Sequence, residues 1–135
     1  MARKSAGHPP QFSRSVFARA RRACLALPEA SETSSHGHPN FQAGRKTFCA
    51  FEIHHGRPSI AVRLPVVEFE AEVAAGLMFA TPYGRGAWTS LWVDGDVDWK
   101  ELPALVRRGY DGVANKRQRA LAGRAAAAAA HGHAK

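Results

Sequence analysis

The chain has 135 residues, a formal net charge of +8, 45% hydrophobic and 22% charged residues; this is enough for one globular domain and too short for two ordinary ones. No apolar run reaches the length of a membrane span, and residues 1–11 lack the apolar centre of a secretory signal. A membrane protein, a disulfide-built miniprotein and a wholly disordered chain are therefore excluded. The charge sits at the ends: +6 over residues 1–22, −4 over residues 23–106 and +6 over residues 107–135.

In chain order, residues 1–11 are polar, carry Pro9-Pro10 and read as a disordered leader. From Ser13 to Leu27 the pattern is helical. Val16, Ala20, Ala23, Cys24 and Leu27 share one face, Arg14, Arg21 and Arg22 point away from it, Ser13 is the N-cap and Pro28 the stop. Residues 31–64 read as strands. Gly44 marks a turn between a strand near Asn40–Gln42 and a half-buried strand in which Thr47, Cys49, Phe51 and Ile53 alternate with Phe48, Ala50, Glu52 and His54. His55-Gly56-Arg57-Pro58 turns that strand into Ile60, Val62 and Leu64, closing a hairpin.

Pro65 opens a short helix with Val66, Phe69 and Val73 on one side. Its Glu68, Glu70 and Glu72 are read as acids placed near the positive end of the helix dipole. A strand from Ala87 to Val93 puts Trp88 and Trp92 on one face, with burial the favoured expectation. Asp98 and Glu101 have capping-box spacing before a last helix whose stripe is Trp99, Leu102, Val106, Tyr110 and Val113. Arg117 and Arg124 fall on the continuation of that stripe. Packing is therefore expected to end near 113–115, leaving 116–135 as a basic, Ala-rich tail that projects outward with nothing to bury. The domain boundaries that follow are a leader at 1–11, a domain at 12–115 and a tail at 116–135.

Cys24 and Cys49 are far apart and lack Cys-x-x-Cys spacing, so neither zinc nor redox chemistry is indicated. Buried free thiols in a reducing cytoplasm are expected, with a disulfide between them left open. His36-x-His38, His54-His55 and His131-x-His133 pair imidazoles without supplying three converging ligands, so no metal site is assigned. Asp94-Gly95-Asp96-Val97-Asp98 begins like a calcium loop, but Trp99 stands where the glycine belongs and Leu105 where the last carboxylate belongs. No nucleophile elbow, phosphate loop or dinucleotide fingerprint is present. The chain is read as non-catalytic and without a cofactor.

Ala26-Leu27-Pro28-Glu29-Ala30-Ser31-Glu32, Gly37-His38-Pro39-Asn40-Phe41 and Gly44-Arg45-Lys46-Thr47-Phe48 resemble the MmcQ/YjbR family. Arg63-Leu64-Pro65, Pro82-Tyr83, Gly86-Ala87-Trp88 and a closing helix with Tyr110 continue the resemblance, which spans about residues 13–115. It implies a bacterial α+β protein with a CyaY-like fold, a two-layer, mainly antiparallel sheet packed against helices. Many members are labelled DNA-binding, and His38, Phe41, Lys46, Phe48, Tyr83 and Trp88 occupy family positions. The expectation is DNA binding through Arg14, Arg21, Arg22, Lys46, Arg85, Lys116, Arg117, Arg119 and Arg124, with no membrane partner. The alternative is a small-molecule-binding or protein-interaction module using His38, Tyr83 and Trp88.

Overall fold

A computed structural model describes residues 14–35, 37–82, 87–94, 97–98 and 100–133, with the side chains of 14–17 and 130–133 outside the description. The expected leader, Ser13, His36, Tyr83, Arg85 and Trp99 fall outside it. The elements run α1 (Arg14–Leu25), β1 (Ala30–Ser35), β2 (His38–Ala43), β3 (Lys46–His54), β4 (Arg57–Arg63), α2 (Val66–Ala74), β5 (Phe79–Ala80), β6 (Trp88–Trp92), α3 (Leu102–Val113) and α4 (Lys116–His133). The strands form one six-stranded sheet in the order β1-β2-β3-β4-β6-β5, with every pairing antiparallel. This is the α+β architecture of a sheet with helices packed on it.

Local chemistry accounts for the joints. His55 and Gly56, between β3 and β4, both have positive φ (54° and 78°), as a two-residue hairpin loop twisted to match its strands requires. The loop is shorter than expected, because Arg57 and Pro58 already belong to β4. At the end of α1, Leu27 N–H bonds Cys24 O and tightens the last turn ahead of Pro28. Glu29 then sits at φ 59°, an uncommon region for a residue with a side chain, as the chain swings into β1.

Strand alternation fails at one place. Phe41 pairs with Cys49 and Gln42 with Thr47, so Phe48 is an extra residue in β3. This bulge turns Phe48 to the same side as Cys49, and both are fully buried. The centre of β3 is consequently buried on both faces rather than half-buried. Phe48 meets Tyr110 of α3 edge-on at 5.4 Å between ring centroids. Phe41, Phe51, Ile60, Val62, Val106 and Tyr110 complete the core between sheet and helices. Gly109 is required there, since a Cβ would stand 2.7 Å from Phe48 O and 3.1 Å from Val62 Cβ.

The stripe Leu102, Val106, Tyr110 and Val113 is buried as expected. The capping box at its start is not formed. Asp98 Oδ1 accepts from Lys100 N–H, and Glu101 makes no side-chain cap bond. Pro103 in the first turn occupies a position whose N–H needs no helical partner, so it replaces the capping contact.

Helix α2 forms where expected, but it buries none of its residues fully. Phe69 packs against the core, while Val66, Val67 and Val73 are exposed. Its acids have a more specific partner than the helix dipole. Arg108 of α3 reaches Glu68 at 2.8 Å and Glu72 at 2.9 Å, tying the two helices together.

Candidate functional site

The α3 helix stops at Ala114, whose ψ of 149° is extended, and a new helix starts at once. Asn115 Oδ1 accepts from Gln118 N–H at 2.7 Å, while Asn115 N–H donates to Gln118 Oε1 at 2.9 Å. This reciprocal pair is a capping box, and it redirects the chain into α4. The first turns of α4 are docked rather than projecting. Gln118 is 5% and Ala122 2% exposed, Gln118 Nε2 donates to Glu29 Oε1 at 2.8 Å, and Arg117 pairs with the other oxygen of Glu29. Beyond Ala122 the expected exposure holds without interruption over residues 123–129.

Docking α4 brings the two ends of the chain together. Helix α1, the start of α3 and α4 line a common groove of about 1110 Å³. Ala23, Leu102, Ala122 and Ala126 are among the residues of its apolar wall, and Arg19, Arg22 and Arg107 also line it. Both terminal helices are basic, with four Lys or Arg each and no acid. Nearby, the β2–β3 turn carries Arg45 and Lys46. A Cβ on Gly44 of that turn would lie 3.9 Å from Gln118 Nε2, which places the turn beside the first turn of α4.

Several of these cations already have internal partners. Arg21 pairs with Glu32 at 2.7 Å, Arg107 with Asp111 at 2.9 Å, Arg117 with Glu29, and Arg119 bonds Ala114 O. Arg22, Arg45, Lys46, Lys116 and Arg124 are exposed, and none has an ion-pair partner among the described residues. The side chain of Arg14 lies outside the description. Lys116, Arg117 and Arg119 stand at the positive end of the α4 dipole, where stability alone would favour acids.

Glu29 is the hinge pin of this arrangement. Hydrogen bonds from Gln118 and then Arg117 hold its carboxyl below the ordinary value of 4.5. A carboxylate depressed in the folded state contributes stability above its unfolded pKa and loses it as pH falls through the folded one. Acidification below about 4.5 should therefore loosen the start of α4 before the sheet opens. Protection factors of the 116–122 amides, with intrinsic exchange at each pH divided out, should fall in the wild type between neutral and acid pH. In Glu29→Gln those protection factors should be low and nearly independent of pH over the same range.

The open face of the sheet carries the other cluster. The register places Trp88, Ser90 and Trp92 of β6 on the face opposite the helices, opposite Arg63, Ala61 and Ser59 of β4. Both tryptophans are half-buried in a strand flanked on both sides. Phe79 stacks on Trp92 at 4.4 Å, and the Arg57 guanidinium carbon lies 3.9 Å from the Trp92 ring centre. Arg57 is held in place by two bonds to Asp94, 2.7 and 3.1 Å. His54 is edge-on to both rings, and its Nε2 lies 3.1 Å from Glu52. Trp92 is thus covered by the protein's own groups. His38 is half-buried on β2, with β3 and β4 between it and Trp88, a separation of about 14 Å from strand spacing alone. His38 and Trp88 share a face without converging.

Cys24 and Cys49 are buried free thiols. Burial, and then contact with Cys49, pushes the Cys24 thiol far above its ordinary pKa. Among the described residues no three His, Cys, Asp or Glu side chains converge as a metal set, and no helix is long and apolar enough to cross a membrane.

The YjbR family model matches residues 25–112, about two thirds of the chain. The chain belongs to the YjbR family. No curated protein matches it. The matched span of this YjbR protein covers the whole sheet, α2 and nearly all of α3. It omits α4 and all but the last residue of α1, so both basic helices of the groove lie outside it.

Proposed function

We propose that this YjbR-family protein is a non-catalytic nucleic-acid-binding protein that holds phosphate backbones through its two basic terminal helices. The observation that carries the reading is the meeting of α1 and α4, about ninety residues apart, on one groove. Arg22, Lys46, Lys116 and Arg124 supply exposed positive charge around that end of the molecule. The acidic helix α2 belongs to the other flank of α3, away from the phosphates. Cations on flexible stems contact phosphate and release counterions, but they do not read bases. Binding should therefore be strong at low salt and indifferent to sequence.

Titration of labelled duplex DNA over about 50 to 200 mM salt tests this. With five exposed cations engaged, log affinity should fall with log salt at a slope of about −4.5. A shuffled duplex should bind equally well. Absence of binding at about 50 mM salt would remove the proposal.

A further inference from the structure

The outer surface of α2 has no role in phosphate binding, yet it is the most exposed apolar surface among the described residues. Val66, Val67 and Leu77 are 59, 77 and 68% exposed. By helical spacing Val66, Val67, Glu70 and Val73 lie within one exposed face of α2, and exposed Leu77 follows just past the helix, beyond the positive-φ Gly76. Glu70 stands exposed within it, without an ion-pair partner among the described residues. This is an apolar ridge carrying one carboxylate.

The groove between α1, α3 and α4 has the complementary character. Its wall is dominated by alanines, whose small side chains let another helix approach closely. Arg22 lines it without an ion-pair partner among the described residues. Helix α2, nine residues and about 13.5 Å long, carries Glu68, Glu70 and Glu72, opposite in sign to the Arg19, Arg22 and Arg107 that line the groove. A chain cannot fill its own groove. Consecutive Arg107 and Arg108 reach opposite flanks of α3, Arg107 towards Ala122 of α4 and Arg108 towards Glu68 and Glu72 of α2.

We propose that, when no nucleic acid occupies the groove, the protein self-associates head to tail, with α2 of one copy seated in the α1/α3/α4 groove of the next and Glu70 meeting Arg22. Assembly and phosphate binding thus compete for the same groove. Each copy then offers one ridge and one groove, so the contact is heterologous and builds short chains or a closed ring. One helix in one groove is a small interface, at the weak end of specific association.

Sedimentation velocity on nuclease-treated full-length protein, from about 5 to about 500 µM, tests the idea without DNA. The weight-average mass should rise with concentration and fall back in high salt, because the ion pair is screened. Val67→Asn/Leu77→Asn removes the ridge and Arg22→Glu reverses the groove charge; each variant should stay monomeric with an unchanged circular dichroism spectrum. Each should weaken association by about tenfold or more. Mixing the two variants should give a 1:1 dimer and nothing larger, since each retains the half the other lacks. Restoring charge complementarity with Glu70→Arg in the Arg22→Glu chain should recover growth of mass. A wild type that stays monomeric throughout, variants that associate as the wild type does, or a mixture that remains monomeric would overturn the proposal. DNA binding by a strictly monomeric protein would leave the phosphate-binding reading standing and remove this one alone.

Discussion

Tyr110→Ala should destabilise the protein by about 3 to 5 kcal/mol, the range for deleting a fully buried aromatic ring. Tyr110 is 0% exposed and is among the largest fully buried side chains. Its ring closes edge-on against Phe48, the residue the bulge turns inward. Its hydroxyl donates to Pro28 O at 2.6 Å, across 82 residues of sequence. One side chain therefore joins α3, the bulged strand and the α1–β1 corner. Its removal opens a cavity at the junction and unties Pro28, the neighbour of Glu29. Single domains are stable by about 5 to 15 kcal/mol in all, so this variant should approach the folding threshold.

The conservative change separates the two contributions. Tyr110→Phe keeps the ring and loses one hydrogen bond, which costs about 0.5 to 1.5 kcal/mol. Urea unfolding should give a lower midpoint for both variants with the same slope, and a much larger drop for alanine. If phenylalanine proves as damaging as alanine, the hydroxyl bond rather than the packed ring holds the junction. If alanine costs less than about 1 kcal/mol, the site collapses around the deletion and Tyr110 is not the keystone.

Much of this junction was legible before the fold was seen. The stripe Leu102, Val106, Tyr110 and Val113 is a strong helical period, and burial follows it. The β3–β4 hairpin was equally clear, because alternation and a turn-forming His-Gly coincide. Strict alternation places Phe48 on the face of β3 opposite Cys49, because it counts one residue at a time and cannot register a bulge. The bulge is a property of the pair Phe41–Cys49 and Gln42–Thr47, and therefore of two strands. Similarly, an Asp98–Glu101 spacing looked like a capping box, yet the box forms at Asn115 and Gln118. That second pattern was in the chain too, just after the apolar stripe ends. Charged Arg117 and Arg124 on the continuation of the apolar stripe argue against packing there, and this masks the cap.

The candidate site was less legible than the fold. Composition located the positive charge at both ends but not where those ends meet. The meeting depends on Glu29 holding Arg117 and Gln118 across 88 and 89 residues, a contact with no periodic signature. The cluster around Trp92 was missed for the same reason. Arg57, Phe79 and Asp94 come from three separate segments, and only the register of β4 against β6 gathers them.

Replacing Arg22, Lys46, Lys116 and Arg124 together by glutamine should produce the largest functional change. Each phosphate contact contributes about 0.9 to the slope of log affinity against log salt. Loss of four should flatten that slope by about 3.6, so that between about 50 and 200 mM salt the wild type loses roughly 150-fold more affinity than the variant. These four side chains are exposed and have no ion-pair partner among the described residues, so their substitution should leave the unfolding midpoint nearly unchanged. Arg21, Arg117 and Arg119 were left in place because Glu32, Glu29 and Ala114 O already engage them. The matching control is Arg63→Gln/Lys100→Gln. Arg63 lies on the open sheet face and Lys100 ahead of α3, both exposed. If cations act wherever they sit, the control should flatten the slope by half as much, about 1.8. If the terminal helices and the turn beside α4 do the binding, the control should retain the wild-type slope while the fourfold variant loses it. An equal loss per charge in both variants would mean that DNA meets the sheet as readily as the groove.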